Sequence, residues 1–274
     1  MPTRRDFMMT SLITGFTLAT ARAEAAPIHT DADGLVAGEI QIPTTAGTIP
    51  GYAARPAANK GYPIILVIEE IFGVHEYIKD ICRRLAHHGY LAVAPELYAR
   101  QGDISKVTDV HKIIDDFVLQ APDDRKMSDL DSALTWAAGH NGDTSHAGVM
   151  GFCRGGRDTW LYAETNPYLK AAVAFYGPVT GPTSPIQPTT PLMGARALKC
   201  PLLGLYGALD DGIKIEDVER AATLAKTAGQ VVQLEVLANA QHGFHADYRP
   251  SYNKAAAEEA WAKALAWFHT HDVG

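Results

Sequence analysis

From residue 35 onward, short apolar runs rich in β-branched residues alternate with stretches whose apolar positions recur every three or four residues. The two periods predict strands and amphipathic helices in turn, hence βαβ units on a mostly parallel sheet with helices on both faces. Only the opening breaks this rhythm. Residues 39–42 and 48–54, separated by Pro43-Thr-Thr-Ala-Gly47, read as an antiparallel hairpin at the sheet edge. Strands are then expected at 63–68, 90–94, 147–152, 171–176, 201–206 and 231–237. Helices are expected at 76–88, 107–119, 127–138, from Cys153 onward, and at 216–228 and 250–271. In the first of these, Ile78, Ile81, Cys82 and Leu85 form one apolar stripe and Gly89 closes the helix. The Pro/Thr-rich stretch 177–191 reads as a long loop above the sheet, because the rhythm resumes unchanged at Pro201. Residues 27–274 therefore read as a single α/β domain.

Residues 1–25 carry a different pattern. Thr3-Arg4-Arg5-Asp6-Phe7, a weakly apolar stretch over 10–20 and then Ala21-Arg-Ala-Glu-Ala25 have the three parts of a twin-arginine export signal, with cleavage after Ala23 or Ala25. The apolar part is well short of the roughly 20 residues that span a bilayer. This predicts a passenger of the twin-arginine export machinery, periplasmic or secreted, with no stable membrane association. The chain's 274 residues hold 24 Lys plus Arg against 31 Asp plus Glu, a net charge of -7. Nucleic acid is excluded as a main partner, since phosphate binding needs a basic face and no Lys/Arg-rich run occurs. Three cysteines are too few and odd in number for a disulfide framework, so at least one thiol stays free or pairs between chains.

One of those thiols stands in Val149-Met-Gly-Phe-Cys153-Arg-Gly-Gly156, a strand running into a helix through Gly-x-Cys-x-Gly-Gly. This is the nucleophile elbow of an α/β-hydrolase with Cys in place of Ser, its turn so tight that Gly151 and Gly155 must lack side chains. A sulfur at a helix N-terminus is favoured as thiolate, and the N–H of Arg154 points where an oxyanion would form. Cys82 lies on a helix stripe and Cys200 just before a strand proline, so both read as core thiols.

A thiol nucleophile needs a base and a group to orient that base, in the chain order nucleophile, acid, His. The strand at 201–206 ends in Gly207-Ala-Leu-Asp210-Asp211-Gly212, and the next ends in Ala238-Asn-Ala-Gln-His242-Gly-Phe-His245. Asp210, nearer the strand end than Asp211, is the candidate acid, and His242 the candidate base ahead of His245. A metal pair of the two histidines lacks a third ligand of suitable spacing. All candidates fall at carboxyl ends of parallel strands, where ligands bind in open α/β sheets.

With these residues in place, the chain resembles the dienelactone hydrolase family. Glu69-Glu70-Ile71-Phe72-Gly73-Val74-His75, Gly89 to Gln101, Gly151 to Gly156, Tyr206 to Ile213 and His242-Gly-Phe-His245 carry the resemblance, in order, from about residue 35 to the end. It implies a Cys153, His242, Asp210 triad with no metal or organic cofactor. It implies Ile71 N–H as a second oxyanion donor beside Arg154, and a Glu70 that contacts the resting thiol and moves when substrate binds. The implied activity is hydrolysis of a small ester or lactone. The sequence departs from the type enzyme where an Arg after the catalytic His helps hold the substrate carboxylate, for here Ala246-Asp247 occupies that place. No Arg matches a second anchor between Gly102 and Leu119. Two rivals remain open at this stage: an exported binding protein on a hydrolase scaffold, and a thiol acyltransferase or peptidase.

Overall fold

A computed structural model describes residues 27–58 and 60–274, so the export signal expected at 1–25 lies outside the described residues. The strands are β1 (Leu35–Thr44), β2 (Gly47–Pro56), β3 (Tyr62–Ile68), β4 (Leu91–Pro95), β5 (Gly142–Phe152), β6 (Ala171–Phe175), β7 (Leu202–Gly207) and β8 (Val232–Leu237). They form one sheet in the order β1-β2-β4-β3-β5-β6-β7-β8. β1 pairs antiparallel with β2, and β2 antiparallel with β4, while every other pair is parallel. The hairpin thus sits at the sheet edge, as its turn chemistry predicts. β4, β6 and β7 are buried along their whole length, which is why they read as continuous apolar runs.

The main helices are α1 (Glu76–His87), α2 (Asp123–Ala138), α3 (Arg154–Thr165), α4 (Ile215–Thr227) and α5 (Lys254–Thr270). α1 packs on β2 and β4, α3 on β5 and β6, and α5 on β6 and β7. Among the described residues, no helix is long and apolar enough to cross a membrane.

Three departures from the predicted elements have physical reasons. The expected helix at 107–119 is a broken segment: one α turn (Val110–Lys112), a π turn (Ile113–Phe117) and a 3-10 turn (Val118–Gln120). Its apolar residues pack into a small separate cluster with Ile71, Tyr98 and Ile104 instead of on the sheet, so no long face enforces a regular helix. α2 begins at Asp123 rather than 127, because two acidic residues suit the first turn after Pro122. α5 begins at Lys254 rather than 250, where Asn253 accepts a hydrogen bond from Ala256 N at 3.1 Å. The residues before it are spent on turns that carry Tyr248 and Arg249 inward.

The first described residues are stitched to α1. Thr30 N donates to Asp80 Oδ1 at 2.6 Å, and Arg83 Nε donates to the Thr30 carbonyl at 2.7 Å. Asp80 in turn accepts from Arg84, whose Nη2 donates to Asp247 Oδ2 at 2.6 Å.

Candidate active site

The loops leaving β3, β5, β7 and β8 meet at one end of the sheet. Cys153 caps α3 with φ 54° and ψ -116°, a backbone that side-chain-bearing residues seldom adopt. A Cβ on Gly151 would sit 2.3 Å from the Gly155 carbonyl oxygen, and one on Gly155 2.4 Å from the carbonyl oxygens of Ile68 and Glu69. Both glycines are therefore required for the turn to close on β3. Below it, Lys126 of α2 is fully buried and donates to Asp158 Oδ2 at 2.7 Å. Arg157 pairs with both Asp158 and Asp123 at 2.8 Å, so ionic contacts tie α3 to α2.

The Cys153 sulfur lies 3.2 Å from His242 Nε2, and His242 Nδ1 lies 2.8 Å from Asp210 Oδ2. The other Asp210 oxygen accepts from Gly212 N at 2.8 Å and Ile213 N at 3.1 Å, which fixes the carboxylate against the turn. Asp211 is exposed. Burial disfavours the His242 cation, but Cys153 and Asp210 outweigh it and lift His242 to about 10. The ring of Tyr176, itself at a positive φ of 37°, meets the His242 ring edge-on at 5.2 Å. His245 belongs elsewhere: its Nδ1 is 2.7 Å from the Tyr77 hydroxyl, and burial, helped by Arg84, pushes it down to about 3. The two histidines do not face a shared site.

Both glutamates after β3 are buried, with opposite electrostatics. Glu69 accepts from Leu97 N at 2.9 Å, and burial raises its carboxyl well above the usual range. Glu70 is ionised: burial opposes the charge, but Arg249, His75 and Tyr248 outweigh it and hold it at about 2. Arg249 Nη2 is 3.1 Å from Glu70 Oε1, the Tyr248 hydroxyl donates to Oε2, and His75 Nε2 is 3.6 Å from Oε2. The Glu70 carboxylate is thus engaged by Arg249, Tyr248 and His75, while the sulfur is engaged by His242.

Arg249, Tyr248 and His75 escape the sequence reading. Ala246-Asp247 stands where the resemblance expects a substrate-anchoring Arg, and a cation reaches Glu70 from further along the same loop. Turns at Gly243 (φ 74°) and Ala246 fold the loop back, with Ala246 N on Gly243 O at 2.9 Å and Arg249 N on Ala246 O at 3.0 Å. Arg249 is thereby delivered from three residues further on, and Asp247 faces Arg84 instead. A cation within two turns of His242 was the available signal.

Cys153, Arg154, His242 and Ile71 share the lining of a cavity of about 630 Å³. Ile114, Val118, Leu119, Val179, Leu192 and Ile213 make its apolar walls, and Lys214, Asp217 and Arg220 its polar edge. All three cysteines are free. Burial raises both Cys82 and Cys200, the latter to about 12, as expected of core thiols.

Residues 49–272 match the sequence profile of the Dienelactone hydrolase family. The chain is 49% identical over 272 residues to a protein of Methylorubrum extorquens provisionally named carboxymethylenebutenolidase, covering 98% of this chain and 94% of that one. It is 44% identical over 262 residues to a protein of the same provisional name from Escherichia coli K12, covering 95% and 97%. Among solved structures, a provisionally named dienelactone hydrolase from Klebsiella pneumoniae matches with a TM-score of 0.84 at 46% identity, over 86% of this chain and 98% of that chain. A dienelactone hydrolase-like promiscuous phosphotriesterase from metagenomic libraries shares the fold, with a TM-score of 0.72 at 22% identity over 87% of this chain and 99% of that one.

Proposed function

Because this chain belongs to the dienelactone hydrolase family and is a hydrolase of the lactone- and ester-cleaving class, we propose that it works through a Cys153, His242, Asp210 triad and a thioester acyl-enzyme. The observation that carries this reading is the continuous line of contacts from sulfur to imidazole to carboxylate, 3.2 Å and 2.8 Å, opening on a cavity that Ile71 and Arg154 also line.

Chemistry follows from that arrangement. With its proton passed to His242, the Cys153 sulfur attacks the substrate carbonyl carbon, a C–S bond forms, and the carbonyl electron pair moves to oxygen. The N–H groups of Ile71 and Arg154 receive the oxyanion. As the oxyanion collapses, the C–O bond to the leaving group breaks and His242 gives its proton to that oxygen; in a lactone the leaving oxygen stays attached to the product. Water then attacks the thioester, His242 takes its proton, and the thiolate departs. Asp210 holds the ring in position and stabilises its cation. Glu70, restrained by Arg249, is proposed to govern when the sulfur is charged. A thiol with such control survives better in an oxidising compartment, which suits the proposed export by the leader at 1–25.

The test is Cys153→Ala in the folded protein, assayed on a short p-nitrophenyl ester and an enol-lactone. Loss of turnover in a variant that still unfolds cooperatively is expected, and retained hydrolysis overturns the assignment. Export is tested separately by fractionating cells that express the full chain and an Arg4→Lys/Arg5→Lys variant. Equal periplasmic recovery of the two would reject the twin-arginine route.

A further inference from the structure

We infer that Gln187 is a positioning residue that fastens both walls of the cavity to the nucleophile elbow and so selects for esters long enough to touch both walls; this rests on the reading of Cys153 as the nucleophile. Gln187 lies in the Pro/Thr-rich loop 177–191 yet is only 3% exposed. Its backbone is fixed by a reciprocal bridge, Ser184 N to Gln187 O at 2.9 Å and Gln187 N to Ser184 O at 3.2 Å, with a further bond from Gln187 N to Ser184 Oγ at 3.1 Å. The side chain is thereby turned inward with little freedom to lose.

The amide then makes three contacts on two different elements. Nε2 donates to Val118 O at 2.7 Å and to Ala121 O at 2.9 Å, and Oε1 accepts from Arg154 Nη2 at 2.8 Å. Both amide hydrogens are used, so the side chain works as a three-way clasp. The two carbonyls sit at the end of the segment 110–120, where a helical stretch leaves its last carbonyls without partners of its own. That segment contains the π turn Ile113–Phe117, a geometry that seldom persists without outside support. Arg154 directly follows Cys153.

What the clasp joins is the cavity itself. Val118 and Leu119 line one wall, and Val179 and Leu192, on or just beyond the loop that carries Gln187, line the other. Other ties of the loop run to α2 and α3, through Asp123 N to Ile186 O and Arg157 Nη2 to Thr189 O, both at 2.9 Å, and to β7 through the Tyr206 hydroxyl to Gly177 O at 3.0 Å. Gln187 is the residue whose side chain bridges loop, broken segment and elbow together. An acetyl ester is too short to feel the spacing of these walls, whereas an ester with a medium apolar chain packs between them.

The experiment compares Gln187→Met, which keeps length but removes all three bonds, with Gln187→Glu, which keeps the acceptor for Arg154 and loses the two donors. Both are made in the full chain and followed by amide hydrogen exchange and by kinetics on p-nitrophenyl acetate and octanoate. Faster exchange in 110–121 is expected in both variants, with the octanoate-to-acetate ratio of kcat/KM falling by about tenfold through KM rather than kcat. Unchanged exchange in 110–121 in a folded variant overturns the clasp, and faster exchange with an unchanged ratio overturns its role in selection. If the Met variant does not fold, the Glu variant carries the test, since its pairing with Arg154 is retained. Hydrolysis persisting in Cys153→Ala would instead sink the nucleophile, an outcome the exchange measurement does not depend on.

Discussion

The Glu70 carboxylate and the Arg249 guanidinium meet as a buried ion pair, Oε1 to Nη2 3.1 Å, across the loops that leave β3 and β8. Each is fully desolvated, so each depends on the other. Arg249→Met is expected to destabilise the fold by about 3–5 kcal/mol, since it strands a buried carboxylate. Adding Glu70→Gln to that variant should recover part of the loss. A double-mutant cycle by urea unfolding checks this, and strictly additive costs would show the pair to be uncoupled.

His242 is held at about 10 against an ordinary 6.5. A raised pKa means that the folded state holds its proton more tightly, so the stabilisation is complete below the ordinary value and is lost as pH rises through about 10. Cys153→Ala removes one of the two groups that raise it and should shift the His242 titration downward. Imidazole proton NMR reads the shift directly; an unmoved titration would mean that sulfur and ring do not interact.

The elbow stores strain that glycine relieves. Cys153→Ala keeps a Cβ at φ 54°, whereas Cys153→Gly does not. The Gly variant is expected to be more stable than the Ala variant by about 1–2 kcal/mol, against the usual order for this pair. Both should be inactive. Thermal unfolding of the two, side by side, decides it.

Glu164, buried on α3 beside the single turn at Pro191–Gly194, is raised to about 8 by burial, with Arg157 opposing. Its folded form retains a proton that the unfolded chain gives up near 4.5. The contribution is therefore full below that value and declines as pH rises through about 8, by up to about 1.4 kcal/mol per pH unit. Glu164→Gln should flatten stability between these limits. Denaturation midpoints of both proteins across the range supply the comparison, and parallel curves would count against it.

Much of the frame was legible because it rests on local rules. The parallel core strands are runs of Val, Ile, Leu and Ala whose burial is worth roughly 1.5–3 kcal/mol per large side chain, and that demand is written in composition. Gly151 and Gly155 announce the elbow because no other residue fits. Distance to the strand end singles out Asp210 over Asp211, and it is Asp210 that lies against His242 Nδ1 at 2.8 Å. What stayed hidden depends on tertiary geometry. Arg249 reaches Glu70 only through two successive turns, a path that no local pattern around Ala246-Asp247 encodes. The break in 110–120 arises from packing on Ile71 and Tyr98, which no periodicity reports. Gln187 sits among prolines and threonines in a stretch with no period at all.

The stitch from Thr30 through Asp80 and Arg84 to Asp247 places the entry of the described chain and the His242 loop on a common abutment. Asp247 is followed directly by the two residues that restrain Glu70. Thr30 and the turn that carries Tyr248 and Arg249 thus share one set of charged contacts, so the leading edge of the domain and the surroundings of Glu70 rest on common foundations.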